Sequence, residues 1–124
     1  MFTGILELDL LLGDVHSLKE KRTVVRPIVS EVRRRFEVAV AEVGHLQLHR
    51  RSLIGVAVVA PDAAHCRRVL DACERWVVAR PEIEVLSAHQ RLVGDDDEFE
   101  APDVGDDEPS FAQPRQRPGE EDQP

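Results

Sequence analysis

Six stretches within the first 93 residues carry apolar side chains at regular spacing, and that spacing switches between two and about 3.6 in the order strand, helix, strand, strand, helix, strand. From Phe2 to Leu12, Phe2, Gly4, Leu6, Leu8, Leu10 and Leu12 fall on one side, with Thr3, Ile5, Glu7, Asp9 and Leu11 on the other, the alternation of a half-buried strand. Gly13 and Asp14 supply a turn. Ser17 then stands three residues ahead of Glu20, a capping-box spacing that places the start of the first helix. Leu18, Val25, Ile28, Val29, Val32 and Phe36 recur along it at three, four and seven, the period of a buried stripe. Pro27 removes a backbone hydrogen bond and crowds the preceding turn, so a kink or short break is expected there, with the stripe in phase on both sides. Glu37–Val43 and Arg51–Ala60 are valine-rich runs joined by the polar segment Gly44–Arg50, and they read as a hairpin. Pro61 and Asp62 open the second helix, with Cys66, Val69, Leu70, Cys73, Trp76 and Val77 on one face and Pro81 after its end. A last strand runs from Glu82 to about Leu92.

With connections this short, the order βαββαβ gives a ferredoxin-like α+β fold, a four-stranded antiparallel sheet with both helices on one face. Right-handed crossovers set the strand order to 4-1-3-2. Residues 1–93 are enough to bury a core without disulfides or metal. Over 94–124 the periodicity ends and Asp, Glu, Pro and Gln dominate, so this segment is expected to be an acidic tail that buries too little apolar area to fold. Charge divides at the same place: 14 Lys plus Arg face 12 Asp plus Glu up to Gly94, and 2 face 12 beyond it, so +2 and −10 make up the overall −8. Such a tail either solvates an ordinary domain or contacts a basic surface.

Met1–Asp9 lacks a basic stretch followed by a continuous apolar run, and no segment reaches 18 uninterrupted apolar residues. The expectation is a cytoplasmic protein with no membrane partner. Cys66 and Cys73 lie seven apart in one helix, about 10 Å along its axis, too far for a mutual disulfide, and both fall on the apolar face as core filler. The excess of 14 Arg over 2 Lys, without any Asn or Tyr, is read as codon bias in a GC-rich genome.

Met1-Phe-Thr-Gly-Ile-Leu-Glu-Leu-Asp-Leu, then Ser17-Leu-Lys-Glu-Lys-Arg22, then Val38-Ala-Val-Ala-Glu-Val43 and Ile54-Gly-Val-Ala-Val-Val59 resemble the YlxP-like family of small bacterial proteins of unknown function. The resemblance spans about residues 1–93, and Ser-Leu-Lys-Glu-Lys-Arg directly after such a strand is its most specific feature. It implies a ferredoxin-like fold and genes lying among those for transcription elongation, translation initiation and ribosome maturation, with no established activity. The family often carries an Asp and a Trp between strands two and three that this chain lacks, so nothing is carried over to Gly44–Arg50, and the acidic tail falls outside the resemblance.

Lys19, Arg22, Arg26 and Arg33 fall within about 60° of one another at 100° per residue, forming a basic edge beside the apolar stripe. Arg34, Arg35, Arg50 and Arg51 extend that edge if the hairpin loop folds toward it. Two readings stand side by side: a solvated flank in the company of Glu20 and Glu31, or a sequence-independent grip on phosphates. Both lysines of the chain, Lys19 and Lys21, lie in this segment. Glu7 and Asp9 project from one side of the first strand about 7 Å apart, a separation at which two carboxylates can share acid and base duties. Without a pocket or a third polar group they read as solvated or paired with Arg91. The same strand face lacks aromatic stacking platforms, so any nucleic-acid contact should come from the helix edge or the hairpin loop. His45 and His49 are four apart with no Cys or carboxylate nearby to complete a ligand set, and they read as loop histidines. No P-loop, nucleophile elbow, H-E-x-x-H or paired C-x-x-C occurs, so no catalytic residue, cofactor or metal is assigned. Phe99 and Phe111 are isolated aromatics in the acidic tail, either partner anchors or incidental to a solubilising segment.

These features point to a non-enzymatic accessory protein that binds RNA or a ribonucleoprotein particle through the basic edge of the first helix, with ribosomal RNA or ribosome-associated factors as partners. The alternative is a protein-interaction or structural homodimer joined through its open sheet face or edges, with a small regulatory ligand at the dimer interface as a variant.

Overall fold

The computed structural model describes residues 1–94; the acidic tail beyond Gly94, with Phe99 and Phe111, lies outside the described residues. The elements are β1 (Phe2–Leu12), α1 (Leu18–Phe36), β2 (Ala39–Gly44), β3 (Arg51–Ala60), α2 (Ala63–Val78) and β4 (Ile83–Val93). All strand pairs are antiparallel and the sheet order is β2-β3-β1-β4, the expected 4-1-3-2 read from the other edge. This is the ferredoxin-like α+β fold.

β1 sits between β3 and β4, and its Leu6, Leu8, Leu10 and Leu12 are fully buried. They meet Val25, Ile28 and Val32 from α1 and Leu70, Cys73 and Val77 from α2 in one cluster. Each fully buried aliphatic side chain contributes about 1.5–3 kcal/mol of transfer free energy. A Cβ on Gly4 would lie 2.9 Å from Leu70 Cδ1 and 3.2 Å from Cys66 Cβ, so the missing side chain lets α2 rest directly on β1. Cys66 and Cys73 are both buried and free, and burial pushes the Cys73 thiol up to about 11.

Local chemistry sets the ends of the helices. Ser17 Oγ accepts from the Glu20 N–H at 3.0 Å, while Glu20 Oε1 accepts from the His16 N–H at 2.6 Å, one residue earlier than in a reciprocal capping box. α1 continues as helix through Pro27, without the short break that was one of the two expected outcomes. Pro27 and Thr23 are both exposed, so the Thr23 carbonyl, deprived of its amide partner, can be hydrated. Glu37, assigned from its valine-rich surroundings to the second strand, instead ends α1. It takes the left-handed conformation at φ 54° and donates its N–H to Arg33 O at 3.0 Å. Asp62 caps α2 by accepting from the His65 N–H at 2.8 Å. On the far edge, the β1–β4 register slips between Asp9 and Leu10, which leaves Leu86 without a cross-strand partner.

Candidate anion-binding groove beside α1

α1 packs against edge strand β2, and a groove of about 490 Å³ runs between them up to the β2–β3 loop. Arg22, Arg26 and Arg33 line its helical side, with Leu18, Val25 and Val29 beside them because the basic edge of α1 adjoins its apolar stripe. Ala41 and Glu42 of β2 and Leu46 and Gln47 of the loop complete the lining. The result is a concave strip with cations along one rim and aliphatic carbon next to them.

Of the expected basic edge, Lys19, Arg22 and Arg26 are exposed and have no hydrogen bond or ion pair among the described residues. Lys19 stands in the first turn of α1, just outside the groove lining. Arg33 also reaches the groove, but its Nη2 donates to the edge-strand carbonyl of Val40 at 2.9 Å. The four residues that would extend the edge are engaged elsewhere. Arg34 and Arg35 both bind Glu31, the latter at 3.0 Å. Arg35 also lies 5.5 Å from the Trp76 ring, whose face carries Arg80 at 4.1 Å. Partial burial works against ionisation of Glu31, and its two arginine partners more than offset this, so its carboxyl stays below the usual range. Arg50 Nε donates to Leu12 O at 3.1 Å and Gly13 O at 2.8 Å, fastening the end of β1.

Arg51 lies on the open face of the sheet, where its Nη2 donates to Asp9 Oδ1 at 2.9 Å and Oδ2 at 2.8 Å. The Asp9 partner is therefore Arg51 and not Arg91. Register explains the choice: Arg51 stands opposite Leu11, diagonal to Asp9, whereas Arg91 stands opposite Ile5, four residues away. The Arg51 guanidinium holds the Asp9 carboxyl below its ordinary 3.8, against the opposing effect of desolvation. His45 completes this group, with Nε2 at 3.5 Å from Asp9 Oδ1 and 3.4 Å from Arg51. Among the described residues, no cluster of three or more His, Cys, Asp or Glu has the arrangement of a metal site.

Lys21 is the residue that sequence reasoning missed. Only 3% exposed, it pairs through Nζ with Glu42 Oε2 at 2.7 Å and donates to His45 O and Leu48 O, each at 2.8 Å. Those three acceptors match the three hydrogens of an ammonium group. Glu42 Oε2 also accepts from the buried Ser52 Oγ at 2.8 Å. The signal was present in the spacing: Leu18, Lys21, Val25, Ile28 and Val32 recur at three and four, so Lys21 occupies an inward position. Its network fixes the loop that bears Leu46 and Gln47, and with it one end of the groove.

A four-stranded antiparallel sheet carrying two helices on one face, with a cation-rimmed groove beside the first helix, defines a small βαββαβ module. The family described as "Protein of unknown function (DUF503)" matches residues 3–90, and the chain belongs to that family. It is similar to the "Uncharacterized protein YlxP" of Bacillus subtilis (strain 168), with 31% identity over 81 residues that cover 65% of this chain and 88% of the relative. The family match takes in the whole groove and stops short of the acidic segment. Among the described residues, no helix is long and apolar enough to cross a membrane.

Proposed function

We propose that this protein is a non-enzymatic accessory factor that holds RNA by its phosphate backbone along α1. The observation that carries the reading is the presence of three exposed cations with no partner among the described residues, Arg22 and Arg26 in the lining of a groove that also presents Arg33, and Lys19 on the same edge of α1 outside that lining. Lys19 to Arg33 spans about 21 Å of helix, enough to follow several nucleotides. Among the described residues no aromatic ring lines the groove, so contacts to phosphate dominate and sequence preference is weak. The gene neighbourhood implied by the family resemblance points toward ribosomal RNA or ribosome-associated particles.

Binding of a short unstructured RNA should fall with salt at a log–log slope of about −2 for three contacts, approaching about −3 if Arg33 joins. Replacing Lys19, Arg22 and Arg26 together with Gln should flatten that slope and weaken all sequences alike. Unchanged binding by the triple variant, or none by the intact protein at low salt, would overturn the reading.

A second reading, pairing of two copies through the open sheet face, is favoured by Val43 and Val59, which remain 54% and 62% exposed there. Sedimentation should then give a dimer that Val59→Lys converts to monomer; a monomer at high micromolar concentration removes this reading.

A further inference from the structure

We infer that the groove between α1 and β2 is also the docking site of this chain's own acidic segment 106–111, Asp-Asp-Glu-Pro-Ser-Phe, which competes there with phosphate ligands. The inference rests on the reading of the groove as an anion site and adds the device that regulates it. Three considerations select this occupant.

The first is charge. Residues 1–94 carry a net +2 and residues 95–124 a net −10, while Lys19, Arg22 and Arg26 have no anionic partner among the described residues. A strongly acidic segment tethered to the same domain supplies counter-charge for these cations at high effective concentration. The second is the match of chemistry along the groove, where Arg33 and Arg26 line the stretch from the end to the middle of α1 and Leu18 and Leu46 lie at its start, past Arg22 and Val25. The segment presents the same order, three carboxylates and then an aromatic ring: Asp106, Asp107 and Glu108 meet Arg33 and Arg26, and Phe111 covers the aliphatic end. Leu46 is 54% exposed there and gains cover from that ring.

The third is reach. Val93 pairs with Thr3 near the start of β1, while α1 begins after the opposite end of β1, so Gly94 and the Arg33 end of α1 lie at the same end of the sheet. β4 and β2 are the two edges, about 14 Å apart across three strand spacings, with the helix layer about 10 Å further out. A chain that must pass over the surface covers both legs, about 24 Å, which Phe99, five residues past Gly94 and at most about 18 Å away, does not reach, whereas the 12 residues from Gly94 to Asp106 extend up to about 40 Å. A tether of this length gives an effective concentration of about millimolar, so even weak affinity in trans leaves the groove substantially occupied.

The test uses the full chain, labelled with nitrogen-15, beside a variant carrying Asp106→Asn, Asp107→Asn, Glu108→Gln and Phe111→Ala. At low salt the amides of Arg22, Arg26, Val29 and Leu46 should differ between the two proteins, independently of protein concentration. The differences should vanish at high salt, and a peptide of residues 104–113 added to the variant should restore the original positions. The variant should also bind a short oligouridylate about two- to tenfold more tightly than the intact chain. Identical groove amides, equal shifts from neutralising Asp95, Asp96 and Asp97 instead, or a concentration-dependent difference would each overturn the docking. If the groove amides respond but neither protein binds oligouridylate, the segment is the occupant and the RNA reading falls. If both bind it equally and the amides do not respond, the RNA reading stands and the docking falls.

Discussion

The β2–β3 loop is held from two sides by polar clusters of similar composition and different surroundings. On the helix side, Lys21 and Ser52 are buried and both bond to Glu42; on the open side, Asp9, Arg51 and His45 meet in partial contact with water. The clusters share His45, whose carbonyl accepts from Lys21 while its ring faces Asp9. His45 takes φ 57°, and its carbonyl also accepts from the Leu48 N–H at 3.0 Å, so the loop turns at the residue that both clusters grip. Burial decides their weight. In the dry cluster a lost partner strands charge and carbonyls away from solvent, whereas in the wet one water replaces it at small cost.

The largest effect should follow Lys21→Ala, which leaves Glu42 and two carbonyl groups without their ammonium and should lower unfolding free energy by about 3–5 kcal/mol in denaturant titrations. Lys21→Met combined with Glu42→Leu should recover much of that loss, because removing both charges together avoids an orphaned one. Amides of Leu46, Gln47 and Leu48 should exchange faster in Lys21→Ala than the change in global stability accounts for. A loss below 1 kcal/mol, or a double variant worse than the single one, would show that the inner cluster has no special hold on the loop.

Asp9→Asn should cost only about 1 kcal/mol near neutrality, since both partners are partly exposed. The comparison sharpens in acid. The folded carboxyl of Asp9 lies below its ordinary value, so its contribution is complete above about pH 4 and fades as pH falls through the folded value. The intact protein should therefore lose stability below about pH 4 more steeply than Asp9→Asn, with the two curves converging. Parallel curves would remove Arg51 as the cause.

Alternation and helical spacing located all six elements, because the inward positions of β1, α1 and α2 are apolar with the exception of Lys21, and a layered arrangement buries them together. The misreadings came where a single residue acts through tertiary partners. Glu37 follows a helix end and precedes valines, and nothing in its own chemistry announces the left-handed cap that turns the chain there. The Asp9–Arg51 pair depends on the β1–β3 register, which spacing within either strand does not reveal. The basic edge was legible as an arc on α1, but which of its members remain unpaired depends on Glu31, the Val40 carbonyl and the end of β1. Lys21, Glu42 and Ser52 were within reach, since each is a polar residue at an inward position of its element, and such residues find each other when the elements pack.

The smallest effects should come from the unpaired cations around that buried lysine, Lys19 two residues before it and Arg22 and Arg26 one and five residues after it. Lys19 lies in the first turn of α1, where the helix dipole disfavours positive charge, and Arg22 and Arg26 are like charges one turn apart. None has a bond among the described residues to lose. In the variant carrying Asp106→Asn, Asp107→Asn, Glu108→Gln and Phe111→Ala, where the acidic segment no longer offsets these charges, Lys19→Gln and Arg26→Gln should each raise stability by about 0.2–0.5 kcal/mol at low salt, and the gain should disappear as salt screens the repulsion. Lys19 and Lys21 then give opposite answers to the same chemical change: removing one charge relieves strain at the surface, and removing the other opens the loop. A cation that destabilises its own helix is explained if it meets an anion in the working state, so the variants that gain stability should be the ones that lose RNA. Loss of stability on Lys19→Gln or Arg26→Gln in that background would show that these side chains serve the fold, and Arg22 alone of the three would then remain as a free cation.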